Sequence, residues 1–310
     1  MSTAPAITDR RALWGALAAV GSTTTAGAAL VFARFAVAEL EPLTLTLLRM
    51  AIALAVIAPL ALVTRSIWPR GRDLVLVAAL GIALFAFGQW LILVALTLTT
   101  AAHSAIIFST MPVMALLASA ALGIERLTLV KSGGVALATA GVVVAMGGSA
   151  ESLHGSWRGD LIMLGTTVLY VAYNFAVRGV SRRYTPLAFI TASMAPAVLV
   201  LVAVVTATGA PLLTIDPSTD AWGAILLISI VGGAGSYGLY LVAIRLTTPT
   251  RVAIAVTASP LAAILCGAAV LGEPVGPATL AGFVGVAAGV LLVNLPRRQA
   301  DGASKLTGAS

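Results

Sequence analysis

The chain has 310 residues, of which 60% are hydrophobic and only 9% charged, and its formal net charge is +7. A soluble domain carries about 25% charged residues, so this composition excludes a surface that faces only water and requires contact with lipid. The basic residues lie between apolar runs rather than on one face, which argues against a nucleic-acid partner and makes them signals of membrane topology.

Ten apolar runs follow one another along the chain, each close to the roughly 20 residues that cross a bilayer core as a helix. Their length and lack of strict alternation indicate helices rather than barrel strands. The first run is long enough to span, so we interpret it as a membrane helix and not as a signal peptide. The polar tails 1–11 and 296–310 are predicted to be disordered. The predicted spans are 12–33, 43–64, 74–95, 101–121, 129–148, 159–178, 186–207, 221–243, 252–271 and 278–295.

Lysine and arginine residues between the spans fall almost entirely on the side that holds the N-terminus. Only Arg34 and Arg158 fall on the other side, where acidic residues such as Glu39 and Asp160 collect. This bias predicts that the N- and C-termini are both cytoplasmic in a multi-pass protein of a bacterial inner membrane.

Residues 102–145 and 250–293 repeat one another at a constant offset of 148 positions. The matched pairs are Pro112 with Pro260, Glu125 with Glu273, Gly134 with Gly282 and Gly141 with Gly289. The halves 12–148 and 159–295 each hold five spans, and an odd number of spans per half inverts one copy relative to the other. The sequence therefore predicts an all-α integral membrane protein with ten transmembrane helices in two inverted five-helix repeats.

The same residues carry a resemblance to a known family. Residues 101–113 (AAHSAIIFSTMPV) and 122–128 (LGIERLT), followed by the glycines up to Gly141, resemble the EamA domain of the drug/metabolite transporter superfamily. The second copy, with 258–261 (ASPL) and 271–274 (LGEP), is similar to the same domain. The resemblance implies ten helices, cytoplasmic termini, and export of amino acids, other metabolites or drugs.

Polar and aromatic residues near the middle of the spans are candidates for the walls of a solute cavity. Two tyrosine pairs lie at a spacing of three, which places each pair on one helix face. An aromatic cavity with a few hydrogen-bonding groups suits a neutral, zwitterionic or amphipathic small molecule. The predicted solute-binding residues are Thr24, Gln89, Trp90, Tyr170, Tyr173, Asn174, Ser236, Tyr237 and Tyr240.

Five further residues are candidates for hinges or gates. Pro112 and Pro260 each remove a backbone donor, which predicts a helix break that is a hinge or else a static packing kink. Arg49 is a full charge inside an apolar run, which predicts a gate or anchor near the membrane surface or a solute contact. Glu125 and Glu273 lie at tight turns, where each is predicted to cap the following helix or to form a gate contact.

The sequence lacks the motifs that would indicate a nucleotide cofactor, a bound metal or a proton relay. It has no phosphate-loop motif, and His103 and His154 have no carboxylate or thiol at metal-ligand spacing, so we expect neither cofactor nor metal. No carboxylate lies at the middle of a span. Proton antiport through a peripheral group such as Glu125, Glu273 or His103, solute exchange and facilitation therefore all stay open.

We predict a secondary transporter that exports small metabolites, such as amino acids or related solutes, or amphipathic drugs by alternating access. The alternative is a channel or a lipid-handling scramblase. An intramembrane enzyme is disfavoured because His103 has no carboxylate partner in its own span. Glycines of spans five and ten, including Gly285 and Gly289, predict close helix packing within the chain, with a homodimer contact as the alternative.

Overall fold

The structure is a computed structural model that describes residues 5–64, 66–123, 128–147, 156–177, 179–210, 217–246, 255, 258–273 and 275–294. Its helices are numbered α1 to α10 in chain order. They are α1 (Pro5–Val37), α2 (Pro42–Val63), α3 (Arg72–Leu98), α4 (Ala101–Ala121), α5 (Leu129–Gly147), α6 (Ser156–Val177), α7 (Pro186–Thr208), α8 (Thr219–Leu226, continued by Leu227–Gly235 and Ser236–Leu246), α9 (Ala258–Leu271) and α10 (Pro277–Asn294).

The predicted all-helical membrane architecture is confirmed. Among the described residues, seven helices are long and apolar enough to cross a membrane, and shorter apolar helices cover Leu129–Ala145, Ala258–Leu271 and Pro277–Leu292. Large apolar side chains cover the outside: Leu62, Val63 and Leu199 are 72%, 87% and 70% exposed. A surface of this kind is stable only against lipid or another apolar partner.

The first helix is longer than the sequence predicted. It begins at Pro5 and therefore covers most of the segment 1–11, which we had predicted to be a disordered tail. Proline fits the first turn of a helix because the N–H that it lacks would have no partner there. The other predicted tail, 296–310, lies outside the described residues.

Three π-helical segments lie in the described part of the chain, one of them at the end of α9 (Gly267–Leu271), and the other two occupy equivalent positions in the two halves. Ile82–Gly88 forms the middle of α3, and Leu227–Gly235 lies within α8. Shifting the first segment by 148 positions gives 230–236, so the two segments overlap almost completely. Such segments change the direction of side chains along a helix and are frequent at functional sites. Gln89 and Ser236 directly follow the two segments.

Helices α5 and α10 pack through their glycines, as the sequence predicted. A methyl group placed on Gly289 would lie 2.5 Å from the carbonyl oxygen of Gly134, and one on Gly282 would lie 2.7 Å from that of Gly141. These residues are pairwise equivalent, so exchanging the two halves converts the first contact into the second. The helices run antiparallel, and equivalent helices meet in this way when one repeat is inverted relative to the other.

The most extensive of the remaining helix contacts follow the same exchange. Helix α1 packs mainly on α8 and α9, and its equivalent α6 packs on α3 and α4. Helix α2 packs on its own equivalent α7, and α1 makes smaller contacts with α3 and α4. One group of helices, α3, α4 and α6, therefore meets on one side of the bundle, and α1, α8 and α9 meet on the other. All the predicted solute-binding residues lie on four of these six helices, α1, α3, α6 and α8.

Candidate functional site

Helix α4 is interrupted at the position that Pro112 predicts. Its first segment ends at Phe108 and its second begins at Met111, with Ser109 and Thr110 between them. Because the break leaves carbonyls without helical partners, side chains replace the missing donors. The Ser109 hydroxyl donates to the carbonyl of Ile106 at 2.7 Å, and that of Thr110 donates to Ile107 at 2.6 Å. The helix break lies where Pro112 predicts it, and the role of Pro112 as a hinge stays a prediction.

A polar and aromatic cluster lies beside this break. The Gln89 side chain is buried and its Nε2 donates a hydrogen bond to the hydroxyl of Tyr170. Phe108 meets the Tyr170 ring edge to face, with ring centroids 5.0 Å apart. The cluster thus joins the end of the π-helical segment of α3, the break in α4 and the middle of α6. Two predicted residues, Gln89 and Tyr170, are brought into direct contact.

The other predicted residues of this side lie around that cluster. Asn174 is exposed, and its Nδ2 donates to the Sδ of Met111 at 3.8 Å, across the α4 break. Tyr173 is half-buried and packs against two apolar clusters, one of which also contacts Tyr170. Trp90 is half-buried beside Phe87, with ring centroids 5.9 Å apart. Five of the predicted solute-binding residues therefore lie close together on α3 and α6, beside the break in α4.

The α1 and α8 side is different. Ser236 and Ser22 form a reciprocal pair in which each hydroxyl donates to the other residue's carbonyl at 2.8 Å. This pair fastens α1 to α8 and engages the hydroxyl that we predicted to meet a solute. Thr24 and Tyr240 are exposed on these two helices. The side chain of Tyr237 lies outside the described part of the chain.

For three of the five predicted hinge or gate residues, Arg49, Pro260 and Glu125, the structure gives the position or burial at most. Arg49 is half-buried in α2. Pro260 is buried near the start of α9, and the residues directly before that helix lie outside the described ranges. Glu125 also lies outside them. Their predicted roles stay predictions.

Glu273 does not form the predicted contact, which was a cap on the helix that follows it. Its Oε1 lies 2.9 Å from the Nε of Arg34 in α1 and accepts a hydrogen bond from the backbone N–H of Ala101 at 3.3 Å. It therefore caps α4 rather than the helix that follows it. An anion is stabilised at a helix N-terminus by the unpaired N–H groups and the helix dipole. One carboxylate thus joins α9 to α1 and α4, across the two halves.

The Arg34 guanidinium extends this contact to a buried pair that the sequence did not predict. Its Nη1 donates to the carbonyls of Leu96, at 2.7 Å, and of Thr99. The hydroxyl of Thr99 donates to Asp160 Oδ1 at 2.5 Å, and Asp160 Oδ2 lies 3.5 Å from His103 Nδ1. The carboxylate that His103 lacks in its own span therefore comes from α6. We call Arg34, Thr99, His103, Asp160 and Glu273 the end network.

Two weaker polar contacts lie outside the spans. Near the end network, the backbone N–H and the hydroxyl of Ser218 donate to Glu39 at 2.9 and 2.7 Å, and these bonds lower the pKa of the Glu39 carboxyl. Elsewhere the Tyr184 hydroxyl donates to Asp73 at 2.6 Å, which raises the pKa of the Tyr184 phenol, and Arg183 pairs with the same carboxylate at 3.1 Å. Both contacts are surface contacts, so we expect small contributions to stability.

The contact between Gln89 and Tyr170 makes a testable prediction. Tyr170→Phe leaves the buried amide of Gln89 without its acceptor, which we expect to destabilise the protein by about 1–3 kcal/mol. The double variant Tyr170→Phe, Gln89→Leu removes both partners and should recover most of that loss. Thermal unfolding of the purified variants in detergent measures both effects. Equal stability of the wild type and Tyr170→Phe would contradict the contact.

Comparisons with known proteins bear on the whole bundle. A family model described as the EamA-like transporter family matches residues 13–147 and again 157–295. A solved crystal structure, named only "Crystal structure of protein", is similar at a TM-score of 0.63 and 20% identity, over 92% of this chain and 96% of that chain. At this identity the likeness concerns the fold alone. A search of curated proteins gave no significant match.

Proposed function

The chain belongs to the EamA-like transporter family, and from this membership we propose that it is a secondary transporter that exports a small solute by alternating access. The observation that carries the mechanism is the exchange of contacts between α5 and α10. Because the contact of Gly134 with Gly289 is equivalent to that of Gly282 with Gly141, swapping the conformations of the two halves gives a second arrangement of similar energy. Inverted repeats produce alternating access in this way.

The chemistry beside the α4 break supports a class of solute. Gln89 supplies an amide, Tyr170 supplies a ring and a hydroxyl, and Asn174 adds an exposed amide. These groups hydrogen-bond and stack without contributing a charge. We propose amino acids, related small metabolites or amphipathic drugs as the solutes, since a multiply charged solute would lack counter-charges in this cluster.

Flux into vesicles tests this function. Purified protein in sealed proteoliposomes should give saturable uptake of at least one member of a panel of labelled amino acids and cationic dyes. The panel is measured with and without a pH gradient. Unsaturable conductance in place of saturable flux would favour a channel, and mixing of labelled lipids between the leaflets would favour a scramblase. Absence of any solute flux across the panel counts against the proposal.

We further propose cytoplasmic termini in a bacterial inner membrane, based on the distribution of basic residues. The test uses equivalent positions of the two repeats, Thr128 and Gly276, in a Cys266→Ala background that carries no other cysteine. A cysteine at Thr128 should react with an impermeant maleimide from the cytoplasmic face, and one at Gly276 from the opposite face. Reaction of both cysteines from the same face would contradict the inverted insertion.

A further inference from the structure

Asp160 is a carboxylate in an environment that does not suit a negative charge. Its side chain is 0% exposed and that of His103 is 6% exposed. A buried carboxylate is costly unless donors or a counter-charge compensate it. Oδ1 accepts a hydrogen bond from the Thr99 hydroxyl. Among the described residues, Oδ2 accepts no hydrogen bond, and it faces His103 Nδ1 at 3.5 Å.

The charges of the end network are unequal. Arg34 contributes one positive charge, whereas Glu273 and Asp160 contribute two negative charges. These groups form one connected set because Thr99 accepts from Arg34 with its carbonyl and donates to Asp160 with its hydroxyl. With a neutral imidazole on His103, one negative charge stays in excess. A single proton held between Asp160 and His103 balances the set.

We propose that Asp160 and His103 bind one proton between them, and that this proton holds the end of the bundle that carries the end network closed. The site deepens the proposed transport function, on which its role in a transport cycle rests. His103 and Asp160 both lie in the group formed by α3, α4 and α6, whereas Arg34 and Glu273 join α1 and α9 to that group at this end. Opening this end between the two groups therefore withdraws Arg34 and Glu273 and admits water to the Asp160 carboxylate.

Proton binding and closure are consequently linked. The closed end needs the proton to balance a buried charge, whereas the open end exposes the carboxylate to water, so the closed form binds the proton more tightly. Because linkage is reciprocal, the proton favours closure by the same factor. The closed form is thus favoured at low pH and loses that advantage as pH rises. One linked proton changes the ratio of closed to open forms by at most about tenfold for each pH unit.

Among the described residues of this end, the exposed charged groups do not compensate the buried Asp160 carboxylate. Arg158 is exposed on α6, where its guanidinium lies over the ring of Trp157. Glu39, Glu41 and Asp220 are exposed acids at the ends of α1, α2 and α8. On α5, Lys131 lies in the first turn, at the helix end opposite the one that leads to α6. Glu151 and His154 lie outside the described residues.

A buried cysteine reports closure without any transported solute. Ser104 is 0% exposed and adjoins His103, so Ser104→Cys in the Cys266→Ala protein should react slowly with a maleimide while this end is closed. The rate is normalised at each pH to that of the same protein in denaturing detergent, which removes the effect of thiol ionisation. We expect the normalised rate at pH 6 to be at least fivefold lower than at pH 8.

Two variants test whether the pH dependence of labelling comes from Asp160. Asp160→Asn is neutral at every pH and removes the excess charge, so labelling should stay slow and vary less than twofold between pH 6 and pH 8. The matched control Asp220→Asn changes an exposed aspartate of the same end and should keep the wild-type response. A normalised rate in the parent protein that does not change with pH overturns the proposal, as does a full pH response in Asp160→Asn.

A second measurement needs no change at Asp160. The chain has two histidines, so His154→Gln leaves His103 as the only histidine signal in a selectively labelled sample for NMR. That signal should change over the same pH interval as the labelling rate. A constant His103 signal from pH 5 to pH 8 overturns the proposal. Failure of the proposed transport function would appear instead as absence of solute flux with the pH-dependent labelling intact.

Discussion

Glu273→Gln is expected to weaken closure of the end that holds the end network and to slow solute flux by at least tenfold. The substitution removes one of the two negative charges of the end network, but that charge is the one in direct contact with Arg34, at 2.9 Å from its Nε, so the ion pair that joins α1 to α9 is lost. Loss of one member of a buried ion pair costs about 3–5 kcal/mol. Because the Arg34 side chain is 30% exposed, water compensates part of this loss, and about 2 kcal/mol is the expected shift toward the open form.

Two measurements follow this effect. Flux in proteoliposomes reports the transport cycle, and maleimide labelling of Ser104→Cys reports closure directly. Glu41→Gln is the matched control, because Glu41 is an exposed glutamate whose carboxylate caps only its own helix, at Thr44 N. Flux and labelling in Glu273→Gln that equal those of Glu41→Gln would show that the contact between Arg34 and Glu273 has no part in closure.

Gly141→Ala is expected to destabilise the folded protein by about 1–3 kcal/mol, the usual cost of forcing extra volume into a packed interface. The added methyl group would lie 2.6 Å from the backbone N of Val286 and 2.8 Å from the carbonyl oxygen of Gly282. Neither atom can move without shifting α10. By the equivalence of the repeats, Gly289→Ala should have an effect of similar size. Thermal unfolding in detergent measures both.

The same helix offers a matched control. A methyl group on Gly133 meets no atom within 4 Å, so Gly133→Ala should be neutral or stabilise the protein by up to ~1 kcal/mol through its higher helix propensity. A Gly141→Ala protein as stable as Gly133→Ala would mean that α5 and α10 are less closely packed than the structure has them.

The architecture could be predicted from the sequence because its signals are local. Apolar runs of membrane length define the spans, and Pro112 defines a helix break because proline lacks the N–H that a helix requires. The repeat was visible because proline, glutamate and glycine have backbone roles that few other residues fill. The π-helical segments of α3 and α8 had no such signal, since their residues do not differ in type from those of an α-helix.

The polar contacts of the site were harder to predict because they depend on tertiary packing. Glu273 lies just before α10 in the sequence, which predicted that it caps that helix. In the structure it caps α4 and pairs with Arg34, and both partners are distant in sequence. Asp160 and His103 lie in different spans and meet only because α4 packs on α6. The polarity of Ser236 predicted a solute contact, but its hydroxyl donates to the carbonyl of Ser22, a residue in another helix.

The most direct test of alternating access is the reactivity of a single cysteine at Asn174, in the Cys266→Ala protein, from each face of a sealed vesicle. Asn174 is exposed beside the α4 break, so an impermeant maleimide should reach it from either face while the protein cycles. A cysteine at Leu199, on the apolar outside of α7, is the control and should react from neither face. Labelling of Asn174→Cys from one face only, in protein that still transports solute, would contradict alternating access.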